Sequence, residues 1–177
     1  IGIINSDDLL LPNALKNIAE NYSPDIDVYL GLLKIFNPVT STSYYATPSL
    51  RYPVSSRNIV VCHPSTFVSR SAYKRFGTYK LHFRYMMDLD LLIRLSQGGA
   101  IFKMINVPLA QFTGGGVTDR TNFKKGIKEY VEMLKGNGAS TLVIFVFVLR
   151  TAIYRFFKEI CIKIGVWNII KKIKYHQ

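Results

Sequence analysis

Ile1-Gly2-Ile3-Ile4-Asn5-Ser6-Asp7-Asp8-Leu9-Leu10-Leu11-Pro12 is the stretch on which the fold turns. A short apolar run closes on two adjacent carboxylates, and a proline shortly after them opens a helical pattern. Strand, turn and helix is the plain reading of that order. Carboxylates at the end of a buried strand sit where an open α/β sheet takes its ligands. Asp7 and Asp8 side by side repel unless something positive lies between them, ordinarily a divalent cation with oxygen ligands. Asp and Asn are also ordinary turn residues, and Asp8 is placed to cap the following helix. Both readings of the acid pair stand open on this stretch alone.

A second acidic cluster lies at residues 85–95, Tyr85-Met86-Met87-Asp88-Leu89-Asp90-Leu91-Leu92-Ile93-Arg94-Leu95. From Asp88 the run mixes polar and apolar residues at helical spacing, and Gly98-Gly99 offers a stop. Asp88 and Asp90 are about 200° apart on a helix, so they do not share a site. Asp90 and Arg94 are i,i+4 neighbours of opposite charge and are expected to pair. Asp88 is then left at the helix start with no local partner. Helix capping and the helix dipole favour an acid there as well.

Between and beyond these clusters, Pro12 to Tyr22 reads as a helix and Asp27 to Phe36 as a strand. Residues 37–58, with Pro38, Pro48 and Pro53, read as a long loop. Ile59 to Val61 and Thr66 to Ser69 read as short strands, and Ser71 to Phe76 as a short helix ended by Gly77. Ala100 to Ile105 and Pro108 to Phe112 are the expected last core strands, and a helix runs from Asp119 to about Lys135.

Taken in order, four segments carry a resemblance. They are Asn5-Ser6-Asp7-Asp8 followed by three apolar residues and Pro12; His63-Pro64-Ser65-Thr66-Phe67-Val68-Ser69-Arg70-Ser71-Ala72-Tyr73; Phe76-Gly77; and Met87-Asp88-Leu89-Asp90-Leu91-Leu92-Ile93-Arg94-Leu95. Their order and spacing over roughly residues 1–118 resemble the family 2 glycosyltransferases. These are bacterial inverting enzymes of the GT-A fold that build surface polysaccharides.

The resemblance implies an α/β fold, a partial GT-A (Rossmann-like) mixed sheet with flanking helices. Residues 1–118 would form that catalytic part, and residues 119–177 a helical, basic, amphipathic tail. Asn5-Ser6-Asp7 matches the family's Asp-x-Asp, which implies that Asp7 binds a Mg²⁺ or Mn²⁺ bridging the donor diphosphate. Asp8 matches the acid that often follows, and Asp88 matches the general base. Gly114-Gly115-Gly116-Val117-Thr118 matches a Gly-rich segment after the last core strand. With His63, Gly114 and Gly115 are the acceptor-side candidates. The implied partners are a nucleotide-sugar donor and a saccharide or lipid-linked acceptor. Tyr44, Tyr45 and Tyr52 stand either as stacking platforms for a sugar ring or as plain exposed loop aromatics.

The pattern departs from the family at three points. Asn5 replaces the first Asp; it still hydrogen-bonds a ribose or a metal-bound water but brings no charge. Met87 replaces the Glu before the base, which removes a like charge near Asp88. The chain also begins at Ile1 inside what the resemblance makes a central strand. It therefore implies that the part holding the nucleotide base precedes Ile1.

Other features carry less. His63 precedes Pro64 at a strand end, where a satisfied structural histidine is the competing reading. His82 and His176 show no partner pattern. Gly114-Gly115-Gly116 is no phosphate loop, since no Lys-Ser/Thr follows it. Cys62 and Cys161 have neither metal-ligand spacing nor a disulfide framework, which favours a reduced cytoplasmic setting.

The 177 residues make one domain and an appendage, and 49% hydrophobic residues exclude a disordered chain. The net charge of +12 is uneven: residues 119–177 hold twelve Lys and Arg against four acids. Nucleic acid is set aside as a partner, because this charge follows an apolar stripe and no binding motif accompanies it. Leu142 to Leu149 is the most apolar run and falls well short of the ~20 residues that cross a bilayer. Leu149, Ile153, Phe156, Ile160, Ile164 and Trp167 then recur at three- and four-residue steps, with Arg150, Arg155 and Lys158 on other faces. Residues 139–177 are thus expected to lie on an anionic membrane surface, peripheral to the inner face of the cell membrane. A tail packed on the catalytic part with a solvated basic face is the alternative. A non-catalytic membrane-surface module is the competing function.

Overall fold

The computed structural model describes residues 1–38, 40–50, 59–60, 62–113 and 123–166. Two compact units divide the chain, Ile1–Gly138 and Ala139–Gln177. The sequence reading draws the line at residue 118. The helix Phe123–Gly136 falls instead in the first unit, where its side chains tie it to residues 84–97 as described below.

The first unit is α/β with a mixed sheet. Its central strand is β2, Val28–Asn37, rich in the branched and aromatic residues that suit a pleated surface. The short β1, Leu9–Leu10, and helix α1, Ala14–Glu20, come before it. After it the chain forms β3 (Thr42–Ala46), β4 (Ser49–Leu50), β5 (Ile59–Val60), a 3-10 turn (His63–Ser65) and β6 (Thr66–Val68). Helices α2, Arg70–Phe76, and α3, Met87–Gln97, lead to β7, Phe102–Thr113, and α4, Phe123–Gly136. β7 lies parallel to β2, and β1 pairs antiparallel with β7. The other edge of β2 takes β6 along Val28–Leu30 and β3 along Leu33–Asn37, both antiparallel. β4 and β5 form a separate pair. A parallel pair needs a long crossover, and everything from β3 to α3 serves as that connection.

Alternation along β2 builds the layers. Val28 and Leu30 face Val68, Ala72, Leu91, Leu92 and Leu95, the cluster of α2 and α3. Tyr29 faces the opposite way, onto Ala14, Phe67, Ile105 and Leu109. The register between β2 and β7 slips twice, around Leu32, so β7 carries extra residues there. This bulge presses Leu109 onto Gly31: a Cβ at Gly31 would sit 2.3 Å from Leu109 Cγ. The two strands expected at 100–105 and 108–112 are therefore one bulged strand, with Pro108 accommodated at the irregularity.

Two further expectations are corrected. Ile1–Ile4 does not form a buried central strand. Gly2 makes an isolated bridge to Phe67, and the Ile1 carbonyl accepts from the Val68 N–H at 2.9 Å. Among the described residues no strand flanks its other side, so Ile1 is 60% exposed. The stretch 37–58 is not a plain loop either, since β3 and β4 lie within it. β3 escaped notice because its Tyr44 and Tyr45 are exposed and give no buried-face alternation. The second unit contains α5, Thr141–Lys163, which joins the apolar run and the amphipathic stretch in one helix.

Candidate functional site

The acid pair lies in a turn that opens β1. The Asp8 N–H donates to the Asn5 carbonyl at 3.1 Å, and the Asn5 side-chain amide donates to Asp8 Oδ2 at 3.2 Å. Asp7 points to solvent, whereas Asp8 is only 4% exposed. Asp8 Oδ1 is buried and accepts no hydrogen bond among the described residues. Burial pushes the Asp8 carboxyl above its usual range, and Asp7 adds to the rise. The Asn5 amide, the backbone of Thr113 and the His63 imidazole work against it. Thr113 closes β7, so Asp8 sits at the carboxyl end of the parallel pair, where open α/β sheets bind ligands.

Asp88 occupies the first turn of α3, but it is not the cap: that position belongs to Met86, with no side-chain hydrogen bond. Its contact comes from far along the chain, with His63 Nδ1 at 3.4 Å from Asp88 Oδ1, an ion pair whenever His63 is protonated. Burial lifts the Asp88 carboxyl above its usual range, and His63 pulls it down. Tyr79 is pushed far up by burial, with Tyr73 and then Asp88 adding to it. A cavity of about 10 Å³, room for about one water, is lined by His63, Thr66, Tyr73, Tyr79 and Asp88.

His63 is held by its own turn. Ser65 Oγ donates to the Leu32 carbonyl at 2.8 Å and Thr66 Oγ1 to the Cys62 carbonyl at 2.9 Å. Leu32 is the residue at the bulge, so Ser65 ties the turn that carries His63 to the irregularity of the parallel pair. Cys62 next to it is buried, and its thiol is pushed up to about 11, which leaves it un-ionised and unreactive.

The start of α3 is fixed by a buried network. Asp90 is fully buried and accepts from Arg94 Nε at 2.8 Å, Lys80 Nζ at 3.0 Å and Asn137 Nδ2 at 2.9 Å. Burial alone would raise its carboxyl, but hydrogen bonds from Arg94, Asn137 and Lys80 outweigh it and hold it below the usual range. The Asp90–Arg94 pair is as expected; Lys80 and Asn137 were not foreseen. Glu129 of α4 accepts from the N–H groups of Arg84 and Tyr85, at 3.0 and 2.8 Å, and so secures the approach to Asp88. No sequence signal marks Glu129 or Asn137, since both act across more than forty residues.

Of the candidates, Asn5, Asp8, His63 and Asp88 are linked in sequence by these interactions, with His63 acting on both acids. Asp7 stays beside Asp8 in the same turn. Gly114 and Gly115, like Tyr52, lie outside the described residues. Among the described residues no three His, Cys, Asp or Glu side chains gather into a metal cage. Asn5, Asp7 and Asp8 share one turn, in which Asp7 is exposed and Asp8 keeps one buried carboxylate oxygen without a hydrogen bond among the described residues; their oxygens are the ones that could hold a cation. That suits Mg²⁺ or Mn²⁺, hard cations commonly held by one or two carboxylates and completed by substrate phosphates. Compared with known proteins, the sequence matches no protein-family model and no curated protein.

Proposed function

We propose that this chain carries the cation-binding and proton-accepting part of an inverting glycosyltransferase of the GT-A, family 2 type. It would act on a nucleotide-sugar donor and a saccharide or lipid-linked acceptor in surface-polysaccharide synthesis. The observation that supports this most is the pairing of His63 with Asp88 at 3.4 Å, with Asp8 close enough to His63 for its carboxyl to be weakly lowered by it, the smallest of the influences on that carboxyl.

In this reading the acceptor hydroxyl attacks the anomeric carbon while the nucleoside diphosphate leaves from the opposite side. Asp88 takes the hydroxyl proton. Its raised affinity for protons serves that task, because a base works best when its pKa approaches the working pH. His63 holds the Asp88 carboxylate in one orientation, and the Asp90 network holds the helix that carries it. Asp7 and Asp8, with Asn5 beside them, would hold the Mg²⁺ or Mn²⁺; when bound, the ion offsets charge on the departing diphosphate.

Release of nucleoside diphosphate from a panel of nucleotide sugars, with Mg²⁺ or Mn²⁺ and candidate acceptors, tests the reading. Asp88→Asn is expected to lower turnover by about 10²–10⁴-fold without altering Mn²⁺ binding followed by electron paramagnetic resonance. Full transfer by that variant would remove Asp88 from the chemistry. Unchanged Mn²⁺ binding in Asp8→Asn would remove the acid pair.

A further inference from the structure

α5 is a 23-residue helix with no buried residue. Leu142, Phe145, Leu149, Ile153, Phe156 and Ile160 follow one another at three- and four-residue steps, and all are exposed, Leu142 by 70% and Phe156 by 64%. They form one stripe about 27 Å long at 1.5 Å per residue. An apolar face of this length left to water is a binding surface.

Charge divides the same helix into halves. Thr141–Leu149 carries none, and from Leu142 onward that half is apolar on every side. All five charged residues follow: Arg150, Arg155, Lys158, Glu159 and Lys163, four cations against one acid. Arg155 and Lys158 fall about 120° or more from the centre of the stripe. The sequence after α5 adds Lys171, Lys172 and Lys174 and no acid.

We infer that α5 seats the protein on an anionic lipid surface and enters it obliquely, with the uncharged N-terminal half deeper than the cationic C-terminal half. The stripe supplies apolar area, and the cations beyond Leu149 meet lipid phosphates and stay at the headgroups. Nothing in Thr141–Leu149 is held at that level. Ser140 Oγ accepts from the Val143 N–H at 3.4 Å, which satisfies one donor at the end that sinks. Among the described residues no helix is long and apolar enough to cross a membrane. A second copy laid parallel on the stripe would set four cations and one acid of each chain side by side, so like charges oppose that pairing. This inference does not depend on Asp88 or on the acid pair.

The test uses the full chain with Trp167→Phe as background, carrying either Leu142→Trp or Ile160→Trp. Vesicles of phosphatidylcholine with phosphatidylglycerol contain lipids brominated at shallow or deep acyl carbons. The Leu142→Trp protein is expected to be quenched best by deep bromines and the Ile160→Trp protein by shallow ones. Partitioning is expected to fall about fivefold for Lys158→Gln, and by less for Arg155→Gln, whose guanidinium pairs with Glu159 at 3.0 Å. It should fall on the order of tenfold for Phe156→Ser, with far-ultraviolet dichroism unchanged. Equal quenching depth at both positions overturns the oblique seating. Absence of vesicle binding, or a dimer in sedimentation whose stripe excludes lipid, overturns the membrane assignment itself.

Discussion

Asp90→Asn tests how α3, the helix that carries Asp88, is held. The substitution keeps the shape of the side chain and removes its charge. One oxygen remains for Arg94, but the new amide nitrogen takes the place of Oδ1 and meets both Lys80 and Asn137, donor against donor. Hydrogen bonds to charged groups contribute about 1.5–3 kcal/mol each. Lys80 is 35% exposed, so water replaces it and its share is close to nothing. The Arg94 and Asn137 contacts remain, and their loss or weakening amounts to about 3 kcal/mol. With a urea dependence of about 2 kcal/mol per molar, the unfolding midpoint at neutral pH drops by about 1.5 M. Urea titration followed by circular dichroism measures this directly. A drop below about 0.5 M would refute the claim that the network holds α3. The pH dependence has a definite sign. The folded state keeps the Asp90 carboxyl below its usual range, so its contribution is complete above the unfolded value of about 4 and is lost as pH falls through the folded one. The gap between wild type and variant should therefore close in strong acid.

Two further outcomes follow from the same geometry. Gly31→Ala places a Cβ 2.3 Å from Leu109 Cγ, in packed strand contact, and should destabilise by about 1–3 kcal/mol. Adding Leu109→Ala should give less than the sum of the two single effects by urea titration. Asp8→Asn removes a buried charge with an orphaned oxygen and should raise stability at neutral pH by about 1 kcal/mol without divalent ions. Saturating Mn²⁺, read by thermal melting, should stabilise wild type and not the variant.

Local patterns carried some of this structure and not the rest. β2, the extent of α3 and the Asp90–Arg94 pair follow from short-range rules, and so does the stop at Gly77, whose φ of 84° is a left-handed conformation. What escaped is what the chain settles at long range. Asp88 finds His63 across twenty-five positions, and nothing near either residue announces the other. The bulge that merges two expected strands arises from packing Leu109 onto Gly31, a contact invisible to periodicity. Ile1–Ile4 has the composition of a core strand, yet burial depends on which neighbours cover it. In the candidate site the acid types were legible, while Tyr79, Glu129 and Asn137 enter through tertiary proximity alone.

The late position of Asn137 sets an order of events during synthesis. The amide that completes the shell around Asp90 is made forty-seven residues after it. While a ribosome is still adding α4, the aspartate has Arg94 and Lys80 but lacks its last donor. A nascent chain arrested in that interval would carry α3 with its carboxylate incompletely solvated by protein, open to chaperone or protease. Asn137, the residue that follows α4, is thus the latch whose arrival marks the first unit as finished.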